Sequence, residues 1–214
     1  MTLSKRLSAI AEMAEGDTVL DVGTDHAKLP VFLVENEICK NAVAADIGEK
    51  PLQKAVQNIK KAGLFHRITT VLSDGFSNIN LDGVDLIIIA GVGHDTIEEI
   101  LSQGDRDAYP GKIFILQPMT GHKELRDFLS ENGFCIQKET AVFENRHFYT
   151  VMKVINGKQS LNPYIGMIDV ESETGQKYKN TVLASLLRKR AGLLKGENAA
   201  QKLKETEAAI RSLE

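Results

Sequence analysis

The segment Val19–His26, of sequence VLDVGTDH, is a short apolar strand that passes directly into a helix, and it decides the fold. Gly23 lacks a Cβ where the backbone must turn tightly and approach a ligand. A dinucleotide-binding loop needs the pattern G-x-G-x-x-G, but Asp25 stands where the second glycine would lie. A pyrophosphate would be repelled by that carboxylate, whereas a cationic ligand would not. The loop therefore predicts a phosphate-free nucleoside ligand, and a plain strand–helix turn is the alternative.

Seven β-rich runs are spaced along residues 18–155, and helical stretches separate most of the first six. Early strands such as Val84–Ala90 are nearly continuous apolar runs, which is typical of strands covered by helices on both faces. The alternation predicts a doubly wound, mostly parallel, Rossmann-like sheet of seven strands. Four residues join the last two strands, so one strand should run antiparallel. The strands are expected at Thr18–Val22, Ala42–Asp46, Ile68–Leu72, Val84–Ala90, Lys112–Leu116, Ile136–Phe143 and Phe148–Ile155, and the helices at Leu3–Ala14, His26–Asn36, Pro51–Ala62, Thr96–Ser102 and Lys123–Asn132.

The pattern changes from residue 157 onward. Residues 157–175 have no clear period and contain Gly, Asn, Pro and Ser, so we interpret them as a linker. Two helical runs follow, Gln176–Leu194 and Asn198–Leu213, separated by Lys195-Gly196-Glu197, and they predict a coiled-coil-like helical hairpin. The expected organisation is a Rossmann-like domain over residues 1–156, followed by linker and hairpin over residues 157–214.

Composition limits the class of protein. The 214 residues, 43% of them hydrophobic, suffice for one well-cored domain and a small appendage. A net charge of −3 argues against a uniformly basic surface for nucleic acid, although Val170–Glu214 carries nine basic and six acidic residues. The two cysteines are far apart and form no C-x-x-C pair, so neither a disulfide framework nor a metal site is expected. No signal peptide and no membrane helix is evident, so we expect a cytoplasmic protein.

Three acidic residues lie at or just after the ends of three successive strands. Asp21 is suited to orient the loop or to accept a hydrogen bond from the amino-acid part of a cofactor. Asp46 lies 23 residues past Gly23, where a carboxylate can bind both ribose hydroxyls, and a helix N-cap is its alternative role. Asp74 could accept from an adenine amine, and alone it would indicate only a turn. Together the three predict a site for a nucleoside cofactor.

Later segments offer candidates for the substrate side of the site. Gly91 and Gly93 follow the most apolar strand and would let a ligand or base approach the backbone. His94, next in the chain, could contact substrate or carry a proton, but a structural role is the more common one for a lone histidine. Gln117 offers an amide to a base edge, or is simply a strand end broken by Pro118. The basic stretches Lys5-Arg6 and Arg188-Lys189-Arg190 could pair with phosphates, or be ordinary solvated surface.

These segments together resemble the bacterial tRNA (adenine-22-N1)-methyltransferase family, called the TrmK family. The resemblance lies in LSKRL at residues 3–7, DVGTDHA at 21–27, IAGVG at 89–93 and ILQP at 115–118, and it spans residues 3 to about 155. It implies a class I methyltransferase domain, S-adenosylmethionine as methyl donor, and a tRNA substrate held partly by the hairpin. A monomer or a weak dimer, without metal and away from membranes, is the expected form.

The resemblance and the residue patterns above together give expected roles for individual residues. The resemblance places Asp25 near the target base, and Asp25 and His94 are the catalytic candidates. The residues expected at the cofactor are Asp21, Gly23, Thr24, Asp46, Ile47, Asp74, Gly75, Ala90 and Gly91. Those expected at the substrate are His26, Gln117, Lys5, Arg6, Arg188, Lys189 and Arg190.

Two positions depart from the family pattern. His94 stands where the family usually has glycine, and Met119 stands where it usually has asparagine. Both lie beside the expected substrate pocket, so a methyltransferase for another RNA site or for a small molecule stays open. A non-catalytic RNA-binding module on the same fold is a further alternative. An oxidoreductase is remote, because the phosphate-binding glycines are missing.

Overall fold

The structure, a computed structural model, describes residues 2–195 and 199–214. Seven strands form one sheet in the order β3-β2-β1-β4-β5-β7-β6. Pairs among the first five strands are parallel, and β7 runs antiparallel to both β5 and β6. The predicted doubly wound sheet with one antiparallel strand is thus confirmed. The strands are β1 (Thr18–Val22), β2 (Asn41–Asp46), β3 (Ile68–Leu72), β4 (Leu86–Val92), β5 (Ile113–Pro118), β6 (Phe134–Glu144) and β7 (His147–Asn156).

Helices cover both faces of the sheet. In β4, Ile88 packs into the core on one face, while Ile87 and Ile89 pack into the core on the other. All three are fully buried, which explains why this strand is a continuous apolar run rather than an alternating one. The helices are α1 (Lys5–Ala11), α2 (Lys28–Glu35), α3 (Glu49–Lys61), α4 (His94–Gln103), α5 (His122–Glu131), α6 (Glu173–Leu193) and α7 (Ala200–Arg211).

Helix boundaries differ from the predicted ones for local reasons. Helix α1 ends at Ala11 rather than Ala14, because the last turn tightens into i→i−3 hydrogen bonds from Met13 and Ala14. Helix α2 begins at Lys28 rather than His26, since residues 25–27 adopt left-handed backbone angles. Helix α3 begins two residues before Pro51, as a first helical turn tolerates a residue without an N–H.

The predicted helical hairpin is confirmed, although the segment before it is more ordered than a linker. Leu186 of α6 packs with Ala209 and Ile210 of α7. Residues 157–172 run against the sheet domain, where Ile168 is buried, and Ser172 caps α6 by accepting from the Gly175 N–H at 3.1 Å. The predicted turn at Gly196-Glu197 and the first residue of the second helix, Asn198, lie outside the described residues.

A buried ion pair ties this segment to the sheet. The Arg126 guanidinium of α5 donates to the Glu139 carboxylate of β6, with Nη2 2.7 Å from Oε1. It also donates to the carbonyls of Pro163 and Tyr164 and to the hydroxyl of Tyr178 in α6. One guanidinium therefore joins the sheet, the connecting segment and the hairpin. Within the described part of the chain, no helix has the length and apolar character needed to cross a bilayer.

Candidate active site

A cleft of about 470 Å³ opens at the carboxyl ends of β1 and β4. The chain leaves these neighbouring strands toward opposite sides of the sheet, and ligands of doubly wound folds bind at such a point. The site therefore lies where topology predicts it. The residues predicted from the sequence that line the cleft are Arg6, Asp21, Gly23, Thr24, Asp25, Ala90, Gly91 and Gln117.

Two glycines leave bare backbone in the wall of the cleft. Gly23 has a φ of +76° and Gly91 a φ of +80°, in the left-handed region that favours glycine. A Cβ placed on either residue would meet no atom within 4 Å, so both point into open space. The N–H groups of Gly23 and Thr24 both donate to the Ala45 carbonyl at 2.9 Å, which fixes the loop against β2. A ligand can therefore approach the main chain closely at two rigid positions.

Three consecutive non-glycine residues after this loop are left-handed. Their φ angles are 30° at Asp25, 70° at His26 and 53° at Ala27. Each such residue costs about 1–3 kcal/mol, so the surroundings must hold the turn. Asp46 Oδ2 accepts from the Asp25 N–H at 3.4 Å, and Asn58 Nδ2 donates to the His26 carbonyl at 2.9 Å. The turn places a 72% exposed Asp25 carboxylate at the cleft, with His26 Nε2 3.3 Å from its Oδ1.

Asp21 is the buried acid of the cleft. Its pKa is raised to about 6, mainly because the carboxyl is buried. The hydrogen bond that Thr24 Oγ1 donates to Asp21 Oδ2 at 2.7 Å lowers the pKa, and the negative charge of Asp46 raises it. Because the folded-state pKa lies above the ordinary 3.8, this group stabilises the fold in acid. That contribution is lost as the pH rises through about 6. At neutral pH Asp21 is therefore a buried carboxylate, and a cationic ligand in the cleft would offset the cost of burying that charge.

The remaining cofactor candidates extend along the same edge of the sheet. Asp46 Oδ1 accepts from the Gly48 N–H at 2.8 Å, and Gly48, not Asp46, is the N-cap of α3. Ile47 beside it is 69% exposed. Asp74 and Gly75 follow β3, and Gly75 packs against α4. None of the four lines the cleft, so their contacts with a nucleoside stay predictions.

His94 is placed differently from the other candidates. It is the first residue of α4, and its Nδ1 lies 3.0 Å from Glu98 Oε1 one turn later. Its ring covers Gly121, where any Cβ would overlap it. His94 does not line the cleft, so this geometry favours the structural role, and the catalytic role stays a prediction.

Gln117 and Arg6 form a contact that the sequence did not indicate. Gln117 is fully buried, and its Oε1 accepts from Arg6 Nη1 at 2.6 Å, while its Nε2 donates to the Pro118 carbonyl. Arg6 also pairs with Glu144 at 3.1 Å and lies over the Tyr149 ring. The guanidinium is thus committed to contacts within the protein, which argues against its predicted role at a phosphate.

The other basic candidates lie outside the cleft. Lys5 is exposed at the start of α1, and Arg188 and Lys189 are exposed on α6, with Arg190 partly covered. Their contacts with substrate stay predictions. Five further lining residues were not among the predicted site residues, although three of them lie in the stretches that resemble the family: Ser4, Leu7, Val92, Lys28 and Leu29. Residues 2–195 and 199–214 contain no group of three or more side chains that could hold a metal ion.

Comparison with known proteins gives a consistent result. A family described as a methyltransferase domain matches residues 3–152. The tRNA (adenine(22)-N(1))-methyltransferase of Bacillus subtilis is 34% identical over 154 residues, which are 71% of this chain and 64% of that protein. The chain thus matches slightly less than two thirds of the length of this relative.

Solved structures resemble the whole chain. The crystal structure of the B. subtilis m1A22 tRNA methyltransferase TrmK superposes with a TM-score of 0.86 at 28% identity, covering 99% of this chain and 97% of that one. The structure of M. capricolum TrmK in complex with S-adenosyl-homocysteine superposes with a TM-score of 0.74 at 28% identity, covering 100% and 96%. The likeness therefore includes the hairpin as well as the sheet.

Proposed function

The chain belongs to the methyltransferase-domain family, within the TrmK branch, and we propose that it transfers a methyl group from S-adenosylmethionine to N1 of an adenine in tRNA, at position 22. The observation that carries the proposal is the joint placement of Asp21, Gly23, Asp25 and Gly91 on one cleft. The relatives named for this reaction, and the bound S-adenosyl-homocysteine in one of them, support it. We infer a cytoplasmic enzyme, monomeric or weakly dimeric.

The cleft fits S-adenosylmethionine in charge and in shape. Gly23 and Gly91 leave open space against bare backbone, which suits close contact with a nucleoside. Asp21 would hold the cationic amino-acid part, because its carboxylate is buried and lacks, among the described residues, a positively charged partner that offsets its charge at neutral pH. Asp46 would take the ribose hydroxyls. No pyrophosphate has to be accommodated near the Asp25 carboxylate.

The proposed reaction does not require the protein to remove a proton before methyl transfer. When bound, the cofactor supplies an electrophilic methyl group on a sulfonium. Neutral adenine N1 already carries a lone pair, so the protein needs no strong base and acts mainly by positioning and electrostatics. The methylated base is cationic, and the Asp25 carboxylate at the cleft is placed to stabilise that charge. The target base must first leave its stack in folded tRNA.

The proposal is tested by transfer of labelled methyl from S-adenosylmethionine to unmodified bacterial tRNA, followed by nucleoside analysis. We expect N1-methyladenosine at position 22. A different methylated nucleoside would indicate that His94 and Met119 redirect the enzyme to another site. Cofactor binding by calorimetry without any transfer to tRNA would contradict the proposed substrate while leaving the fold and cofactor intact.

Asp21→Asn should weaken cofactor binding and stabilise the free protein at once. A neutral amide removes the cost of a buried charge, so we expect the free energy of unfolding at pH 8 to rise by about 1–2 kcal/mol. Cofactor affinity should fall about tenfold or more, since the cationic ligand loses its counter-charge. In the wild type, affinity should rise as the pH increases through about 6, and the variant should lose this dependence.

Calorimetric titration and urea unfolding at pH 5 and pH 8 measure both effects. Thr24→Val is the matched control, because it removes the hydrogen bond that lowers the Asp21 pKa and keeps the carboxyl. It should move the pH midpoint of cofactor binding upward. Loss of stability together with affinity in Asp21→Asn would show that Asp21 only supports the loop.

A further inference from the structure

An exposed aromatic side chain lies beside a groove that the catalytic cleft does not include. Phe143, near the end of β6, is 48% exposed although it belongs to the sheet domain. The groove, of about 600 Å³, separates the tip of the β6–β7 hairpin from α1 and α6. The fold gives Phe143 no partner that covers its outer face among the described residues. An aromatic face in this setting is available to a ligand.

Phe143 is a supported platform rather than a loose side chain. Its ring centroid lies 4.9 Å from that of Phe148, and Phe148 in turn meets the buried Tyr178 ring edge-on at 5.8 Å. Tyr178 is held by Arg126. A chain of rings thus connects the exposed face to the buried part of the protein. A base that stacks on Phe143 would therefore lose little conformational entropy in ordering that side chain.

Two lysines flank the platform. Lys5 of α1 and Lys177 of α6 both line the groove and are exposed. Lys177 pairs with Glu173 one turn earlier in the helix, and exposed ion pairs of this kind contribute little to stability. An aromatic face between cations matches single-stranded nucleic acid, whose bases stack while its phosphates seek positive charge.

The groove lies next to the cleft, because consecutive residues at the start of α1 line one or the other. The Lys5 N–H donates to Glu144 Oε1 at 2.7 Å, and Glu144 directly follows Phe143. The neighbours of Lys5 in the chain, Ser4 and Arg6, line the cleft itself. A nucleic acid whose target base enters the cleft would therefore pass over the groove with an adjacent part of its chain.

We propose that this groove binds an unpaired nucleotide of the tRNA near the target adenine, with its base on Phe143 and phosphates at Lys5 and Lys177. The proposal rests on the proposed function, since it assigns a recognition subsite to the same substrate. It gives the exposed aromatic face a role that neither the cleft nor the core requires. Holding a neighbouring nucleotide would also offset part of the cost of extruding the target base.

Phe143→Leu tests the stacking while keeping apolar bulk over Phe148. We expect the Kd for tRNA, and the KM, to rise about 5- to 100-fold, the usual range for loss of one stacked base. Turnover at saturating tRNA and cofactor affinity should change less than about twofold. Phe65→Leu is the matched control, because Phe65 is 68% exposed but precedes β3, at the opposite edge of the sheet from β6 and the groove.

The charges give a second, independent measurement. Lys177→Gln should weaken tRNA binding. It should also reduce the slope of log Kd against log salt concentration by about 1, the value expected for loss of one phosphate contact. Glu173→Gln should strengthen binding, because it releases Lys177 from its carboxylate. Opposite effects from two exposed residues one turn apart would not arise from unfolding. Equal affinities in both variants would overturn the role of Lys177.

Fluorescence anisotropy with labelled tRNA and the methyl-transfer assay separate the outcomes. If the wild type methylates tRNA and Phe143→Leu leaves the KM unchanged, the groove proposal is wrong and the proposed function stands. That result would instead suit a polypeptide partner for the groove. If the wild type binds tRNA without methylating it and Phe143→Leu weakens binding, the groove proposal stands and the proposed function is wrong. If the wild type binds no tRNA, both are overturned.

Discussion

Asparagine in place of Asp25 is expected to lower the turnover of methyl transfer to tRNA by about 100-fold or more, with cofactor affinity changed by less than about threefold. The loss reflects removal of a fixed negative charge beside a base that becomes cationic as N1 is methylated, an effect of the size seen for other pre-oriented charged or polar groups. Asparagine is the most suitable substitution, because it removes the charge while still tolerating positive φ, and φ is 30° at this position. Single-turnover kinetics with saturating tRNA and cofactor measure the chemical step directly.

Asp25→Glu is the matched control for this prediction. It keeps the charge and changes only its reach, so we expect it to retain more activity than Asp25→Asn even though glutamate is less suited to the left-handed turn. Calorimetry on the same proteins reports cofactor affinity. Equal losses of turnover and of cofactor affinity in Asp25→Asn would place Asp25 in the cofactor site and contradict its role at the target base.

The sequence indicates that Asp21, Gly23 and Gly91 meet at one cleft, because that information is local. Asp21, Gly23 and Gly91 each lie at or beside the carboxyl end of an apolar strand, and parallel strands bring their carboxyl ends to one edge of a sheet. The fully apolar run in β4 indicates a central strand for the same reason. Strand order then follows from the short list of topologies that such alternation allows.

The substrate side depends on contacts that leave no local pattern. Arg6 reaches Gln117 across 111 positions and Glu144 across 138, and nothing in either neighbourhood marks the pairing. The glycine-rich stretch before His94 left both a substrate contact and a structural role open, and the packing of the ring on Gly121 depends on a residue far along the chain. Residues 157–172 resemble a linker in composition, yet Arg126 fixes their carbonyls to the sheet.

Methionine in place of Arg126 is expected to lower the free energy of unfolding by about 3–5 kcal/mol. The substitution leaves the Glu139 carboxylate, 5% exposed, without its counter-charge in the core, and breaking one side of a buried ion pair carries a cost of this size. The carbonyls of Pro163 and Tyr164 and the Tyr178 hydroxyl lose their donor as well. Urea unfolding followed by circular dichroism measures the loss.

Lys123→Met is the matched control on the same helix, since Lys123 pairs with Asp127 at the surface and should contribute less than about 1 kcal/mol. The double variant Arg126→Met/Glu139→Met should recover at least half of the loss, because it removes the stranded charge. Additive losses in the double variant would contradict the ion-pair argument. The Arg126→Met variant has a second expected effect, because Arg126 also holds Tyr178 and the chain before α6. We expect residues 157–172 to become accessible to limited proteolysis in this variant. It should also weaken tRNA binding through the Phe143 groove, which depends on Tyr178 for its support.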